Sequence, residues 1–334
     1  MIATIDGALF QRMIIHASAA IQVQKQSINE LNVFPVPDGD TGTNMSLTIG
    51  TSATEMKKKT VSSIGQAASI NASALLRGAR GNSGVILSLL FRGVSKALKE
   101  KDDADGIALA EALSEGVSAA YKAVMKPAEG TILTVSRLAA ERAVTAAQEQ
   151  NCAEYVLEQA IEAGQVALAD TINQNPVLKK AGVIDAGGKG FIIILQGMLA
   201  ELRGESMPEV DDTPAKEGAD FATVGMEDIT FTYDTVFIVR KTSDKPLDLF
   251  RAYLDSIGDS LVIGEDDDSF KVHVHTDIPG EALTEAQKYG TLELAKIENM
   301  RTQAADMAAG RATQSVDDLD MDDAAEAPCE CEHV

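Results

Sequence analysis

Two acidic residues near the N-terminus have the types and spacing of metal ligands. Asp38 and Asp40 follow a segment stiffened by prolines, with one glycine between them. Carboxylates two positions apart on an extended segment project to the same side, and hard oxygen ligands of this kind suit Mg²⁺. A helix is predicted to begin near Thr43, and its first backbone N–H groups favour an anion. The pattern therefore predicts a loop that holds Mg²⁺ together with a phosphate group.

The same loop has other interpretations. Thr43 or Asn44 in an acidic turn could simply cap the helix, and the local sequence leaves this alternative open beside the metal site. An EF-hand calcium loop is excluded. Counted from Asp38, the fifth position is Gly42 and the twelfth is Ile49, where a bidentate Glu is required.

A second loop is rich in glycine and runs directly into an apolar helical segment that begins at Val85. It reads Arg77-Gly78-Ala79-Arg80-Gly81-Asn82-Ser83-Gly84. Glycines and an Asn-Ser pair at this place form the kind of backbone concavity that binds anions above a helix N-terminus. A P-loop is excluded, because neither this loop nor Gly188-Lys189-Gly190 has a Lys followed by Ser or Thr. A turn that only separates two helices stays open as the alternative.

Helices must position both loops. From Gly7 to about Arg203, apolar residues recur at three- and four-residue spacing, which predicts about eight helices and an all-α domain over residues 1–203. Two more loops, residues 126–131 and 182–188, join helices in the same half. Because a helical bundle can gather its loops at one end, we expect all four loops to surround one ligand.

The rest of the chain has a different pattern. Residues 204–225 are polar and unpatterned, which predicts a linker. Residues 226–303 alternate β-branched and helical segments in the order β-α-β-β-α-β, which predicts a small α/β domain of the ferredoxin-like type. Residues 304–334 are acidic, with no Lys or Arg after Arg311, and are expected to form a disordered tail. The predicted fold class is therefore multidomain.

Composition excludes several function classes. Acids outnumber bases 51 to 29, and a net charge of -22 repels nucleic acid and anionic lipid. The longest apolar string, residues 191–195, is too short to span a bilayer, and the N-terminus lacks the pattern of a signal peptide. Three cysteines provide no disulfide framework. We expect a cytoplasmic protein without an integral membrane segment.

Longer strings of this sequence closely resemble the ATP-binding subunit of bacterial fatty acid kinase. The resemblance covers residues 1 to about 303 and is carried by LNVFPVPDGDTGTNM at 31–45, GARGNSGVILS at 78–88, MKPAEGTILTV at 125–135 and DAGGKG at 185–190. The first domain is similar to the L subunit of dihydroxyacetone kinase. That similarity implies an eight-helix antiparallel barrel with Mg-nucleotide bound at one end.

The resemblance also implies an activity, in which ATP phosphorylates a fatty acid presented by a separate fatty-acid-binding protein and gives an acyl phosphate for phospholipid synthesis. A carboxylate acceptor is already ionised near neutral pH, so this chemistry needs no general base. The resemblance implies that Asp38 and Asp40 are catalytic and bind Mg²⁺. It places the other residues of the ATP or ADP site around the phosphates, at Gly39, Thr41, Thr43, Asn44, Gly81, Ser83 and Gly84, and beside the nucleoside, at Asp185.

Three features depart from the family pattern. Val33 stands where dihydroxyacetone kinase has a third Asp. In the second domain, His273 and His275 match a His-x-His pair that implies a Zn²⁺ site, but Asp234 replaces the family's Cys. Alternate strand positions place both imidazoles on one face and zinc accepts carboxylate oxygen, so these three residues are candidate ligands, with exposed strand histidines as the alternative. Relatives continue into a further domain, which we expect this chain to lack.

Two other functions stay open at this point. A relative of dihydroxyacetone kinase could phosphorylate a small hydroxyketone instead of a fatty acid. A chain without the further domain could also be a non-catalytic module that binds nucleotide and regulates a partner. The sequence is compatible with a homodimer and does not require one.

Overall fold

Helices build the first part of the chain. The computed structural model describes residues 1–35, 37, 39–208, 229–266 and 268–308, so Asp38, most of the predicted linker and most of the predicted tail lie outside the described residues. The helices of this part are α1 (Gly7–Asn29), α2 (Thr41–Lys57), α3 (Ile64–Gly78), α4 (Gly81–Leu98), α5 (Gly106–Ala123), α6 (Ile132–Glu149), α7 (Ala153–Gln174), α8 (Pro176–Ala181) and α9 (Ala186–Leu202).

Side-chain caps begin several of these helices where the sequence places Ser or Asp. Asp6, Ser63 and Asp105 each accept a hydrogen bond from the backbone N–H three residues further on, which satisfies a donor of the first turn. The core consists mainly of Ala, Ile and Leu, in agreement with the low aromatic content. The helix-rich first domain is confirmed, with a short pair of strands added, β1 (Ile5–Asp6) and β2 (Asp103–Ala104).

A four-stranded sheet dominates the second part. Its elements are β3 (Tyr233–Lys241), α10 (Asp248–Ile257), β4 (Gly258–Glu265), β5 (Ser269–Thr276), α11 (Pro279–Ala286), β6 (Gly290–Asn299) and α12 (Met300–Ala308). The order β-α-β-β-α-β is the predicted one, the strands lie in the order β4-β5-β3-β6, and all neighbours are antiparallel. The ferredoxin-like class and the eight-helix barrel stay predictions. The chain remains helical to Ala308, beyond the expected start of the tail at residue 304.

Strand β5 separates two environments. Phe270, Val272 and Val274 point into the core that the sheet forms with α10 and α11. Lys271 and the two histidines occupy the alternate positions, so they lie on the opposite face, where the sheet packs against α4 of the first domain. All three are buried, although they are polar. The histidines are therefore not the exposed strand residues of the alternative interpretation.

The two domains are also joined along β4. Val262 forms an isolated antiparallel bridge with Val124, and the backbone N–H of Met125 donates to Leu261 O at 3.4 Å. Lys126 Nζ lies 2.9 Å from Asp255 Oδ1 on α10. The loop between α5 and α6 therefore contacts the second domain through both a backbone hydrogen bond and an ion pair.

None of the helices in the described ranges combines the length and apolar character needed to cross a membrane.

Candidate functional site

The first turns of α2 and α4 lie side by side, and the two loops singled out in the sequence meet there. Gly81 begins α4 with a positive φ of 56°, and a Cβ atom at this position would lie 2.5 Å from Asn44 Nδ2 of α2. Only glycine accepts both this backbone conformation and this close approach. The two helix N-termini therefore bring their first-turn N–H groups to one place, an arrangement that favours a bound anion.

A cavity lies against these two turns, and we call it the loop cavity. Residues of both domains line it: Asn32, Asp40, Thr41, Asn44, Gly81, Asn82 and Ser83 from the first domain, and Asp234, His273, His275 and Glu298 from the second. Asp40 and several of the residues predicted to hold phosphate thus share a cavity with the residues predicted to hold Zn²⁺. This juxtaposition joins two sites that the sequence assigned to separate domains.

Not every predicted residue reaches the loop cavity. Thr43 is turned towards α1, where its backbone N–H donates to Asn29 Oδ1 at 3.1 Å and its hydroxyl accepts from Asn29 Nδ2 at 3.0 Å. Gly84 packs against Thr48 with no room for a Cβ atom, so it serves the contact between α2 and α4. Gly39, with a φ of 67°, lies in the turn before Asp40 and does not line the cavity.

Asn82 was not assigned from the sequence, and the structure gives it a central place. It lines the loop cavity and also a larger one, the interdomain cavity, which lies between Phe34 and Ile132 on one side and Phe231 and Leu261 on the other. Its buried Oδ1 atom has no hydrogen-bond partner among the described residues. A buried amide without a partner is costly unless a ligand satisfies it. The Asn-Ser pair of the second loop was the available signal.

Asp185 is buried at the N-terminus of α9 and lines the interdomain cavity, together with Ser83. Its Oδ2 atom accepts from the backbone N–H of Gly188 at 2.7 Å, and its own N–H donates to Thr171 Oγ1 at 3.0 Å. Burial raises the pKa of Asp185 to about 6, although hydrogen bonds from Gly188 and Ile132 act in the opposite direction. The carboxylate is therefore both a helix cap and a poorly solvated charge beside a cavity.

Replacing Asp185 with Asn is expected to stabilise the fold at neutral pH. Because the folded-state pKa is raised to about 6, the wild type loses stability as the pH rises from about 4 to 6, by up to about 3 kcal/mol. Asn caps a helix as well as Asp does. The variant should therefore unfold at higher temperature above pH 6, and this gain should vanish near pH 4. Thermal unfolding across that pH range measures it, and equal melting temperatures at pH 7 would contradict it.

The second-domain histidines converge on one point. His273 Nε2 and His275 Nε2 lie 3.2 Å apart. On their other side, His273 Nδ1 lies 3.3 Å from Asp234 Oδ1, and His275 Nδ1 lies 3.4 Å from Asp259 Oδ1. Each imidazole thus has a carboxylate behind it and its second nitrogen turned towards the other imidazole. Outer carboxylates at metal sites orient the histidine ligands by accepting a hydrogen bond from such a ring N–H group. Among the described residues, His273 Nδ1 and Asp234 Oδ1 lie close together without forming a hydrogen bond, which leaves Asp234 as a candidate ligand.

The charge states of this cluster suit a cation. Burial lowers the pKa of His273 well below its ordinary value, and the neighbouring His275 and Lys271 act in the same direction, so His273 is neutral at pH 7. Burial also raises the pKa of Asp234 to about 6, against the opposing effects of His275 and Lys296. The negative charge of a buried carboxylate loses solvation, and a neutral imidazole beside it provides little compensation. A bound divalent cation would offset this loss of solvation.

Lys271 links the sheet to the second loop by hydrogen bonds. Its side chain is buried, and Nζ donates to Ala79 O and, at 3.3 Å, to Arg77 O at the end of α3. Burial lowers the pKa of Lys271 to about 7, with Arg80 and Lys296 adding to the effect. A cation donor at a helix C-terminus satisfies its last carbonyl groups. Lys271 therefore fixes the position from which the glycine-rich loop departs.

Comparisons with known proteins match both parts of the chain. The DAK2 domain model matches residues 35–200, and the model of the FakA-like middle domain, named after fatty acid kinase, matches residues 230–307. In solved structures, the dihydroxyacetone kinase from C. freundii in complex with AMP-PNP and Mg²⁺ is similar with a TM-score of 0.46 and 19% identity, covering 60% of this chain and 35% of that one.

Curated bacterial relatives match nearly the whole of this chain. An uncharacterised protein of Staphylococcus saprophyticus is 43% identical over 318 residues, which cover 91% of this chain and 56% of that protein. Protein YloV of Bacillus subtilis is 42% identical over 313 residues, which cover 90% of this chain and 57% of that protein. The chain therefore spans little more than half the length of these relatives. It belongs to the family of proteins that join a DAK2 domain to a FakA-like middle domain.

Proposed function

We propose that this chain is the Mg-ATP-binding subunit of a phosphotransferase that phosphorylates a fatty acid. The γ-phosphoryl group of ATP would pass to the carboxylate of a fatty acid held by a separate fatty-acid-binding protein. The acceptor oxygen forms the new P–O bond, the bond between the γ-phosphorus and the β–γ bridging oxygen breaks, and ADP and an acyl phosphate leave. The presence of both a DAK2 domain and a FakA-like middle domain supports a role in a kinase.

The observation that carries this proposal is the loop cavity. Asp40, Asn44 and Gly81 meet there at two helix N-termini. In a protein with a net charge of -22, a polyphosphate is bound only where local groups overcome the general repulsion. Two sets of helix N–H groups and a metal ion would do so.

The residues at the loop cavity fit Mg²⁺. Hard oxygen donors stand together at the start of α2, in the carboxylate of Asp40 and the hydroxyl of Thr41. Asp40 would hold the ion together with Asp38, which the sequence places two residues earlier. When bound, Mg²⁺ would neutralise the charge of the phosphate groups. The N–H groups of α2 and α4 and the side chain of Asn82 would orient the phosphates, and a carboxylate acceptor needs no base.

We also propose that His273 and His275 hold a Zn²⁺ ion. Two nitrogens on a tetrahedral zinc, with Zn–N bonds of about 2.0–2.1 Å, lie about 3.3 Å apart, and the two Nε2 atoms are separated by 3.2 Å. The Asp234 carboxylate stands within 4.8 Å of both imidazoles as the remaining candidate ligand. Zn²⁺ held there would add positive charge to the wall of the loop cavity.

One assay tests the proposed reaction. The protein is mixed with Mg-ATP and a fatty-acid-binding protein loaded with fatty acid, and acyl phosphate is trapped with hydroxylamine. We expect hydroxamate to form only when Mg²⁺, ATP and the loaded carrier are all present. Dihydroxyacetone offered in place of the carrier provides the matched control.

The outcomes separate three functions. Hydroxamate formation supports the fatty acid kinase function. Phosphorylation of dihydroxyacetone alone would identify the substrate as a small hydroxyketone. Binding of Mg-ATP without either product would contradict catalysis by this chain and favour a nucleotide-binding regulatory module.

A further inference from the structure

The interdomain cavity has the size and walls of a site for a small molecule. Its volume is about 370 Å³, within the range of about 300–1,000 Å³ found for ligand sites. Phe34 and Ile132 of the first domain and Phe231 and Leu261 of the second make its walls mainly apolar. A flat apolar group would bury most of its surface between these walls.

Some of the polar groups of this cavity lie where it meets the loop cavity. Asn82 and Ser83 line both cavities, and Asp185 lines the interdomain cavity near them. Ser83 and Asp185 both lie against Gly187, since a Cβ atom on this glycine would lie 3.4 Å from both Ser83 Oγ and Asp185 Oδ2. A ligand with its phosphates at the start of α2 and α4 would therefore extend past these polar groups into the apolar cavity.

Strand β4 of the second domain is irregular where it lines this cavity. The pairing of β4 with β5 shifts between Asp259 and Val262, and Ser260 within the shift has a φ of 52°. A positive φ is uncommon for residues other than glycine, and surrounding contacts must maintain it. The bridge from Val262 to Val124 and the hydrogen bond from Met125 to Leu261 provide such contacts. Ser260 and Leu261 therefore line the cavity instead of continuing the regular pairing of β4 with β5.

We propose that the nucleoside of the bound nucleotide occupies the interdomain cavity, with Phe231 and the β4 edge at residues 260–261 as one wall of its site. This inference rests on the proposed function, because it requires the phosphates to lie in the loop cavity. The second domain is then part of the nucleotide site. A half-buried phenylalanine at the cavity wall provides a face for a base.

The test compares two probes on the full chain, Mg-ATP and Mg-tripolyphosphate, by isothermal titration calorimetry. Phe231→Ala should weaken Mg-ATP binding by about tenfold to a hundredfold, the loss typical of a removed base-stacking contact. Mg-tripolyphosphate has no base, so its affinity should not change, and its binding also shows that the variant is folded. Tyr253→Ala is the matched control, since Tyr253 is a half-buried aromatic of the second domain that lines neither cavity.

Each other outcome counts against the inference. If Phe231→Ala leaves both affinities unchanged, or weakens both probes equally, the nucleoside does not lie against the second domain, whereas the proposed function stands. If the wild type binds neither probe, the proposed function itself is wrong.

Discussion

Replacing Asp40 with Asn is expected to abolish Mg-dependent ATP binding and to lower phosphoryl transfer by at least about 1,000-fold. Removal of one preorganised electrostatic contact already costs about 10²–10³ in rate, and here a metal ligand would be lost as well. The fold should tolerate the change, because Asn has the same size as Asp and is equally suited to the N-cap position, which residue 40 occupies at α2. Calorimetric titration with ATP, with and without Mg²⁺, measures the effect.

Asp105→Asn is the matched control for this prediction. Asp105 also stands at a helix N-terminus, where it accepts from the backbone N–H of Ala108 at 2.9 Å, and its hydrogen bonds lower its pKa. Loss of the Asp105 carboxylate should lower the free energy of unfolding, mainly above the pKa of this group. It should leave the affinity for ATP unchanged. An Asp40→Asn protein that binds Mg-ATP as tightly as the wild type would exclude Asp40 as a metal ligand.

Replacing His273 and His275 together with Ala is expected to remove bound zinc completely. The two Nε2 atoms are the converging donors, and no other pair of imidazole nitrogens lies this close among the described residues. Metal analysis of the purified protein should fall from one zinc per chain to none. His16→Gln provides the control, since His16 lies on α1 beside Glu201 and outside this cluster.

Asp259→Asn gives a graded version of the same test. Asp259 faces His275 Nδ1 at 3.4 Å and is not needed to bind the metal directly. Loss of such an outer carboxylate lowers metal affinity by about 10–100-fold without abolishing binding, which competition with a chelator would measure. Wild-type protein that contains no zinc after purification in its presence would contradict the metal site.

Local sequence patterns were sufficient to predict parts of the candidate site in each domain. The alternation along β5 predicted that His273 and His275 share a face, because strand geometry depends only on neighbouring residues. The glycine-rich loop likewise predicted a helix start, but the structure begins α4 at Gly81 rather than at the predicted Val85. The positive φ of Gly81 makes glycine necessary there. The order of the second-domain elements followed from the same reasoning.

The meeting of the two halves could not be predicted in this way. Whether the histidine face of β5 lies against α10 or against the first domain depends on long-range packing, which sequence periodicity does not contain. The place of Asp259 beside His275 depends on the shifted pairing of β4 with β5. Thr43 illustrates the same limit, since its motif position predicts a place beside the phosphates, whereas its hydrogen-bond partner in the structure is Asn29 on α1.

A crystal structure of the protein with Mg²⁺ and a non-hydrolysable ATP analogue would show directly whether the nucleotide binds where the two domains meet. We predict a metal ion bound to Asp40, phosphates at the N-termini of α2 and α4, and the base between Phe34 and Phe231. An analogue bound elsewhere, with its phosphates remote from Gly81, would contradict this site.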